Sequence, residues 1–132
     1  MRAQPIPPAW IKLVTSILES HDPENIEWSF TAEQDWHPFG LEQDAYALLI
    51  KTLNRPQVLG HPVVGMLDRR DGSYTDCWAF FCDHPWGSPV PLYAKIGIHH
   101  SRVHINLFSL HPDDGSEKLQ QAIAAYLKHH KT

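Results

Sequence analysis

The side chains best suited to chemistry lie in one stretch. It runs Leu92-Tyr93-Ala94-Lys95-Ile96-Gly97-Ile98, then His99-His100-Ser101-Arg102, then Val103-His104-Ile105-Asn106-Leu107-Phe108-Ser109-Leu110-His111. Two apolar runs of strand length around a short polar turn predict an antiparallel hairpin. Side chains alternate along a strand, so Leu92, Ala94, Ile96 and Ile98 share one face and leave Tyr93 and Lys95 on the other. Val103, Ile105 and Leu107 alternate in the same way, and Ser109 and His111 continue that parity to the strand end. A tyrosine, a lysine and a histidine at the rim of one sheet are the parts of an acid/base cluster. Histidine exchanges protons near neutral pH, and lysine can balance a developing anion.

Other residues extend this candidate. His61, before Pro62, is a second possible proton carrier. Thr75 and Asp76 beside a turn, Trp86 between Pro85 and Gly87, and Arg102 in the hairpin turn are candidate substrate contacts. Each has a plainer reading: Tyr93 as a half-buried strand aromatic, Lys95 as a solvent-facing lysine, His111 as a strand end, His61 as a loop residue, Thr75 and Asp76 as turn flanks. His99, His100, His104, Cys82 and His84 are residue types that bind zinc, but no C-x-x-C or H-E-x-x-H spacing accompanies them. Neither a metal nor another cofactor is expected. A glycine-rich phosphate loop and a Gly-x-Ser-x-Gly elbow are both missing from the sequence.

These residues need a scaffold. Trp10, Leu13, Val14, Ile17 and Leu18 recur at helical spacing and predict an amphipathic helix over 9–20, ended by His21-Asp22-Pro23. Ile26 to Phe30 alternates as a short strand, and Thr31-Ala32-Glu33-Gln34 fits a capping box opening a short helical turn. Leu41, Ala45, Leu48, Leu49 and Leu53 form the stripe of a second long helix, stopped by Asn54-Arg55-Pro56. Residues 63–82 read as a hairpin turning at Arg70-Asp71-Gly72-Ser73. Residues 83–89 read as a loop, and the last helix carries Leu119, Ile123, Tyr126 and Leu127. The expected organisation is one α+β domain over 1–132. It has a Pro-rich extension (1–8), a helical part (9–53), an antiparallel sheet of about four strands (63–111) and a C-terminal helix (116–129).

Composition narrows the class. The 132 residues are 42% hydrophobic and rich in aromatics, enough for a real core. No apolar run reaches the roughly 20 residues that span a bilayer. No signal-peptide pattern opens the chain, so a cytoplasmic setting without a membrane partner is expected. Cys77 and Cys82, at an odd offset in one strand, point to opposite faces and read as two free thiols. A net charge of −4 and a pI near 6.2 do not give the basic footprint usual for nucleic-acid binders.

The series "PFGLEQDAYALLIKTL", "DGSYTDCW", "LYAKIGI" and "VHINLFSLH", in this order over roughly residues 35–113, resembles the MqsR-type toxins of bacterial toxin–antitoxin pairs. The resemblance implies a RelE-like α+β fold, metal-independent RNA endonuclease activity, and RNA and a cognate antitoxin protein as partners. The family's "YLK" strand falls on Tyr93 and Lys95. The lysine ending its "SFK" strand falls on His111, its glutamine before Asp on Thr75 with Asp76 next, and a lysine after its second helix near His61. With lysines replaced by histidines, the implied chemistry is a two-histidine scheme. His61 and His111 would be base and acid on the RNA 2′-hydroxyl, Lys95 would neutralise the phosphate, and Tyr93 would donate or stack. The alternative is a non-catalytic protein-binding module of the same fold.

Overall fold

The computed structural model describes residues 2–63, 74–113 and 118–130. The chain enters as a two-residue edge strand, β1 (Gln4–Pro5), pairing antiparallel with β3 (Leu59–Val63). The Pro-rich extension thus belongs to the sheet, where proline is tolerated because an edge strand can spare an N–H. Pro8 then opens α1 (Pro8–Ser20) at its first turn, where a missing N–H costs nothing. Trp10, Val14, Ile17 and Leu18 are buried as their spacing requires.

A three-residue strand β2 (Ile26–Trp28) leads into α2 (Phe30–Trp36), a 3₁₀ turn (His37–Phe39) and α3 (Glu42–Leu53). α2 begins one residue before the expected box at Thr31. Its cap is Ser29, whose hydroxyl accepts from the Ala32 N–H at 3.1 Å. α3 starts where Asp44 reaches back to the Leu41 N–H at 2.8 Å. Gly40, at φ +153°, makes room for this carboxylate, since a Cβ there would lie 2.7 Å from it.

The remaining strands are β4 (Tyr74–Cys82), β5 (Leu92–His99) and β6 (Ile105–Pro112), followed by α4 (Lys118–His129). The fold is α+β, with a six-stranded sheet in the order β1-β3-β4-β5-β6-β2. All pairs are antiparallel except β2, which runs parallel to β6. The expected four-strand meander therefore gains an edge strand on each side. β3 starts at Leu59, earlier than the expected Val63. The expected strand through Leu67, the turn at Arg70–Ser73 and the start of the last helix at 116 lie outside the described residues.

α1, α2 and α3 cover the first face of the sheet. Trp78, Phe80, Leu92, Ala94, Ile96, Ile105, Leu107 and Leu110 meet Trp10, Leu18, Trp36, Leu49 and Leu53 there in one core. α4 packs against β3, burying Leu119 and Ala122, and lines a groove with Arg2 and Ala3. Cys82 lies in the first-face core and Cys77 on the second face, both buried and not joined in a disulfide. Burial pushes the Cys82 thiol up to about 12, so it is inert as a nucleophile. No helix among the described residues is long and apolar enough to cross a membrane.

Two bulges decide what the second face displays. Between β5 and β6, Lys95 pairs with Ser109 but Ile96 pairs with Leu107, so Phe108 is an extra residue. Between β4 and β5 the register shifts at Asp76, which adopts φ +52°. The Phe108 bulge is held by Ser29, whose N–H donates to the Leu107 carbonyl at 3.0 Å and whose hydroxyl donates to the Phe108 carbonyl at 2.9 Å. Ser29→Ala removes both the helix cap and this bond. We expect it to lower stability by about 1–2 kcal/mol, read as a shift in the urea midpoint. An unshifted midpoint would mean that the bulge holds itself.

Candidate active site

Side-chain alternation along β5 puts Leu92, Ala94, Ile96 and Ile98 in the core and Tyr93 and Lys95 on the second face. Along β6, strict alternation would send Ser109 and His111 to the core with Leu107. The extra residue at Phe108 reverses the parity, so Ser109 and His111 emerge beside Lys95 and Tyr93 as their register partners. Tyr93 and His111 stack with ring centroids 5.5 Å apart and planes 27° from parallel. Phe81 lies edge-on to Tyr93 on the other side at 6.4 Å. Tyr93, Lys95, Ser109 and His111 are all half-buried, so each keeps part of its surface toward solvent.

Both candidate histidines precede a proline and share one local arrangement. The Nδ1 of His111 lies 2.8 Å from the Pro112 carbonyl, and that of His61 lies 3.0 Å from the Pro62 carbonyl. A carbonyl oxygen only accepts, which assigns the ring proton to Nδ1 and leaves Nε2 as the basic nitrogen. In His111 this nitrogen belongs to a partly exposed ring. In His61 it is fully enclosed and has no hydrogen-bond partner among the described residues.

The structure separates His61 from the other three. It shares the second face and the row His61–Ala79–Lys95–Ser109 across four strands. Strand spacing puts its Cα about 10 Å from that of Lys95 and about 16 Å from that of His111. The two histidines therefore cannot flank one phosphate as an acid/base pair. Burial, aided by the positive N-terminus and Lys95 and opposed by the Pro62 hydrogen bond, holds His61 below the usual histidine range.

The four candidate substrate contacts lie elsewhere. Thr75 and Asp76 are near the far end of β5, with Thr75 opposite Ile98. Asp76 is exposed and does backbone work, its carbonyl accepting from the Trp10 indole at 2.7 Å. Arg102 is exposed in the turn closed by the His99 N–H donating to the His104 carbonyl, at the opposite end of the hairpin from Tyr93. Trp86 packs at a tilt against Phe39, which packs against the first-face core.

The far end of the second face holds a polar group that the spacing did not reveal. Glu27 of β2 accepts from the Asn106 amide at 3.1 Å and from the Tyr74 hydroxyl at 3.3 Å. His104 donates from Nδ1 to the Glu24 carbonyl, and its buried Nε2 lies 3.6 Å from the Glu27 carboxylate. Asn106 is fully buried and its Oδ1 has no hydrogen-bond partner among the described residues. The available signal was an asparagine inside an apolar strand; its partner Glu27 comes from a distant segment. Among the described residues, no three His, Cys, Asp or Glu side chains are placed to share a metal ion. The chain matches no family model, no curated protein and no solved structure.

A histidine with a lowered pKa favours the neutral form in the folded state. Its contribution is complete above the unfolded value of 6.5 and is lost as pH falls below it, because the unfolded chain takes up the proton more readily. Urea midpoints measured at about pH 7.5 and about pH 5.5 should therefore fall less for His61→Gln than for the parent. An equal fall in both proteins would show that His61 does not resist protonation.

Proposed function

We propose that the chain is a toxin-like RNA endonuclease working at the Tyr93–Lys95–His111 group. The proposal carries with it the MqsR-type resemblance, a RelE-like arrangement of the fold, a cytoplasmic setting, and an antitoxin as the protein that silences the site. The observation that carries the reading is the stacking of Tyr93 on a half-exposed His111 whose Nε2 is the basic nitrogen, next to Lys95 on the same open face.

His111 Nε2 takes the proton of the RNA 2′-hydroxyl. The 2′-oxygen attacks the adjacent phosphorus, the bond from phosphorus to the 5′-oxygen breaks, and a 2′,3′-cyclic phosphate and a 5′-hydroxyl result. Lys95 balances the charge gathering on the phosphorane and returns a proton to the leaving oxygen. Tyr93 fixes the imidazole by stacking and offers a hydroxyl to the substrate. The nucleophile is the substrate's own hydroxyl, so the scheme calls for no metal. His61 takes no part in it.

The second reading, a non-catalytic protein-binding module, is favoured by a different observation: the exposed Trp86 held against Phe39 on the opposite side of the sheet.

The test is induced expression in a bacterial host, with growth and RNA integrity followed together, and purified protein incubated with end-labelled RNA in a chelator. The parent should arrest growth and leave cyclic-phosphate ends. His111→Ala and Lys95→Ala should each reduce cleavage by about 10²–10⁴-fold without changing the thermal midpoint, while His61→Gln cleaves like the parent. Intact RNA with well-folded parent, or equal cleavage by His111→Ala, would overturn the reading.

A further inference from the structure

The first-face layer carries a charge pattern that the proposed chemistry does not use. Residues 13–50 contain Glu19, Asp22, Glu24, Glu27, Glu33, Asp35, Glu42 and Asp44 and no lysine or arginine. They therefore hold eight of the fifteen acidic residues of the chain and none of its eleven Lys and Arg. They build most of α1, all of α2 and most of α3, which cover the first face, together with β2, whose Glu27 stands on the second face; Lys12 of α1 and Lys51 of α3 border the run.

Large apolar side chains stand exposed on this acidic layer and on the loop beside it. Phe30 is 75% exposed, Leu41 66% and Trp86 66%. Scattered single residues of this kind are ordinary, but these are linked. Phe30 lines a groove of ≈ 460 Å³ with Glu33, Gln34 and His37. His37 opens the 3₁₀ turn whose Phe39 lies 4.6 Å from the Trp86 ring and 5.1 Å from His84. Two residues past the turn lies Leu41, whose carbonyl accepts from the Trp36 indole at 2.8 Å. Leu41 and Trp86 are thus held by a buried tryptophan and a packed phenylalanine. A rigid aromatic anchor of this sort is what a protein interface concentrates its energy on.

Charge selects the occupant. RNA is a polyanion and would be repelled by this layer, as would an anionic membrane surface. Arg55 is paired with Asp83, at the start of the Trp86 loop, at 2.6 Å. We propose that the Phe30–Phe39–Trp86 surface docks a basic amphipathic segment of a partner protein. Its apolar side chains would seat on Phe30, Leu41 and Trp86 while its lysines or arginines face Glu33, Asp35 and Glu42. Opposite potentials of this kind set encounter rate and register, and the aromatic contacts set residence. This surface lies across the sheet from Tyr93 and His111 and does not depend on the RNA reading.

The test uses the full chain and three labelled synthetic peptides of equal length: a Lys/Leu amphipathic helix former, a Lys/Ser peptide of the same charge, and a Glu/Leu amphipathic peptide. Binding is followed by fluorescence anisotropy at physiological salt. The Lys/Leu peptide should bind about tenfold or more tighter than either other peptide. Trp86→Ala and Phe30→Ala should each weaken it by about tenfold, whereas His111→Ala leaves it unchanged. Both substituted side chains are exposed, so thermal midpoints should match the parent. Equal binding of the Lys/Ser peptide, or undiminished binding by both variants, would reduce the effect to bulk charge and overturn the proposal. Self-association in sedimentation velocity that the same two variants abolish would also overturn it, because the occupant would then be a second copy.

Discussion

The hydroxyl of Ser29 makes two hydrogen bonds at one point, and much of the functional face depends on where that point lies. It accepts from the Ala32 N–H, starting α2, and donates to the carbonyl of Phe108, the extra residue in β6. One short side chain therefore couples the onset of a helix on the first face to a break in alternation on the sheet beneath it. Without the break, Ser109 and His111 would share the parity of Leu107 and turn into the core. A histidine in that position would need partners that an apolar layer of Leu92, Ala94 and Leu110 cannot give. With it, Phe108 and Ser109 both face outward, Leu110 returns to the core, and His111 lands against Tyr93. Gly97 makes room for this, since a Cβ there would lie 2.7 Å from the Phe108 ring and 2.6 Å from the Cys77 sulfur.

The bulge at Asp76 does for β4 what Phe108 does for β6. In unbroken alternation Tyr74 would share a face with Trp78 and Phe80, in the core. The extra residue moves it to the second face, where it packs on Cys77 and Phe108 and donates to Glu27. The positive φ of Asp76 is a conformation that a short polar residue adopts at less cost than a branched one. Its carbonyl is turned toward α1, where the Trp10 indole takes it. Each bulge is thus fastened from the helical layer, one by Ser29 and the other by Trp10. The layer that buries the first face also sets the pattern of the second.

This explains what the sequence could and could not reveal. Strict period two in Leu92–Ile98, the opposite facing of Cys77 and Cys82, and most of the helical stripes of α1 and α3 follow from spacing alone; Leu13 and Leu41, expected in those stripes, are exposed instead. The placement of Tyr93 and Lys95 on one face follows too. The company of His111 does not. Its local alternation points inward, and the bulge at Phe108, held by Ser29 from seventy-nine residues earlier in the chain, turns it outward. The same holds for Glu27 and Asn106, joined by a parallel pairing that no local pattern announces. β1 was hidden because its two residues include a proline, which argues for a strand only once an edge position is known. His61 illustrates the converse. Its residue type and its place before Pro62 match His111 closely, yet two intervening strands and burial give it a different environment.

The two faces of the sheet also divide the charge of the chain. Apart from β2, whose Glu27 belongs to the second face, a run of thirty-eight residues without a lysine or arginine goes into the helical layer and its connections, while Lys95 and the Tyr93–His111 pair stand on the other face. A net charge of −4 therefore says little about either surface by itself. At physiological ionic strength, screening over roughly 8 Å separates surfaces on opposite sides of a sheet with a helical layer between them. An anionic substrate approaching Lys95 meets the local potential of the second face, and the acidic layer acts on whatever approaches the first. The sheet insulates the two, and the bulges held by Ser29 and Trp10 keep the second face polar while the first stays apolar at its core. An overall acidic balance is in this way compatible with an anion-directed group on one side and a cation-directed surface on the other.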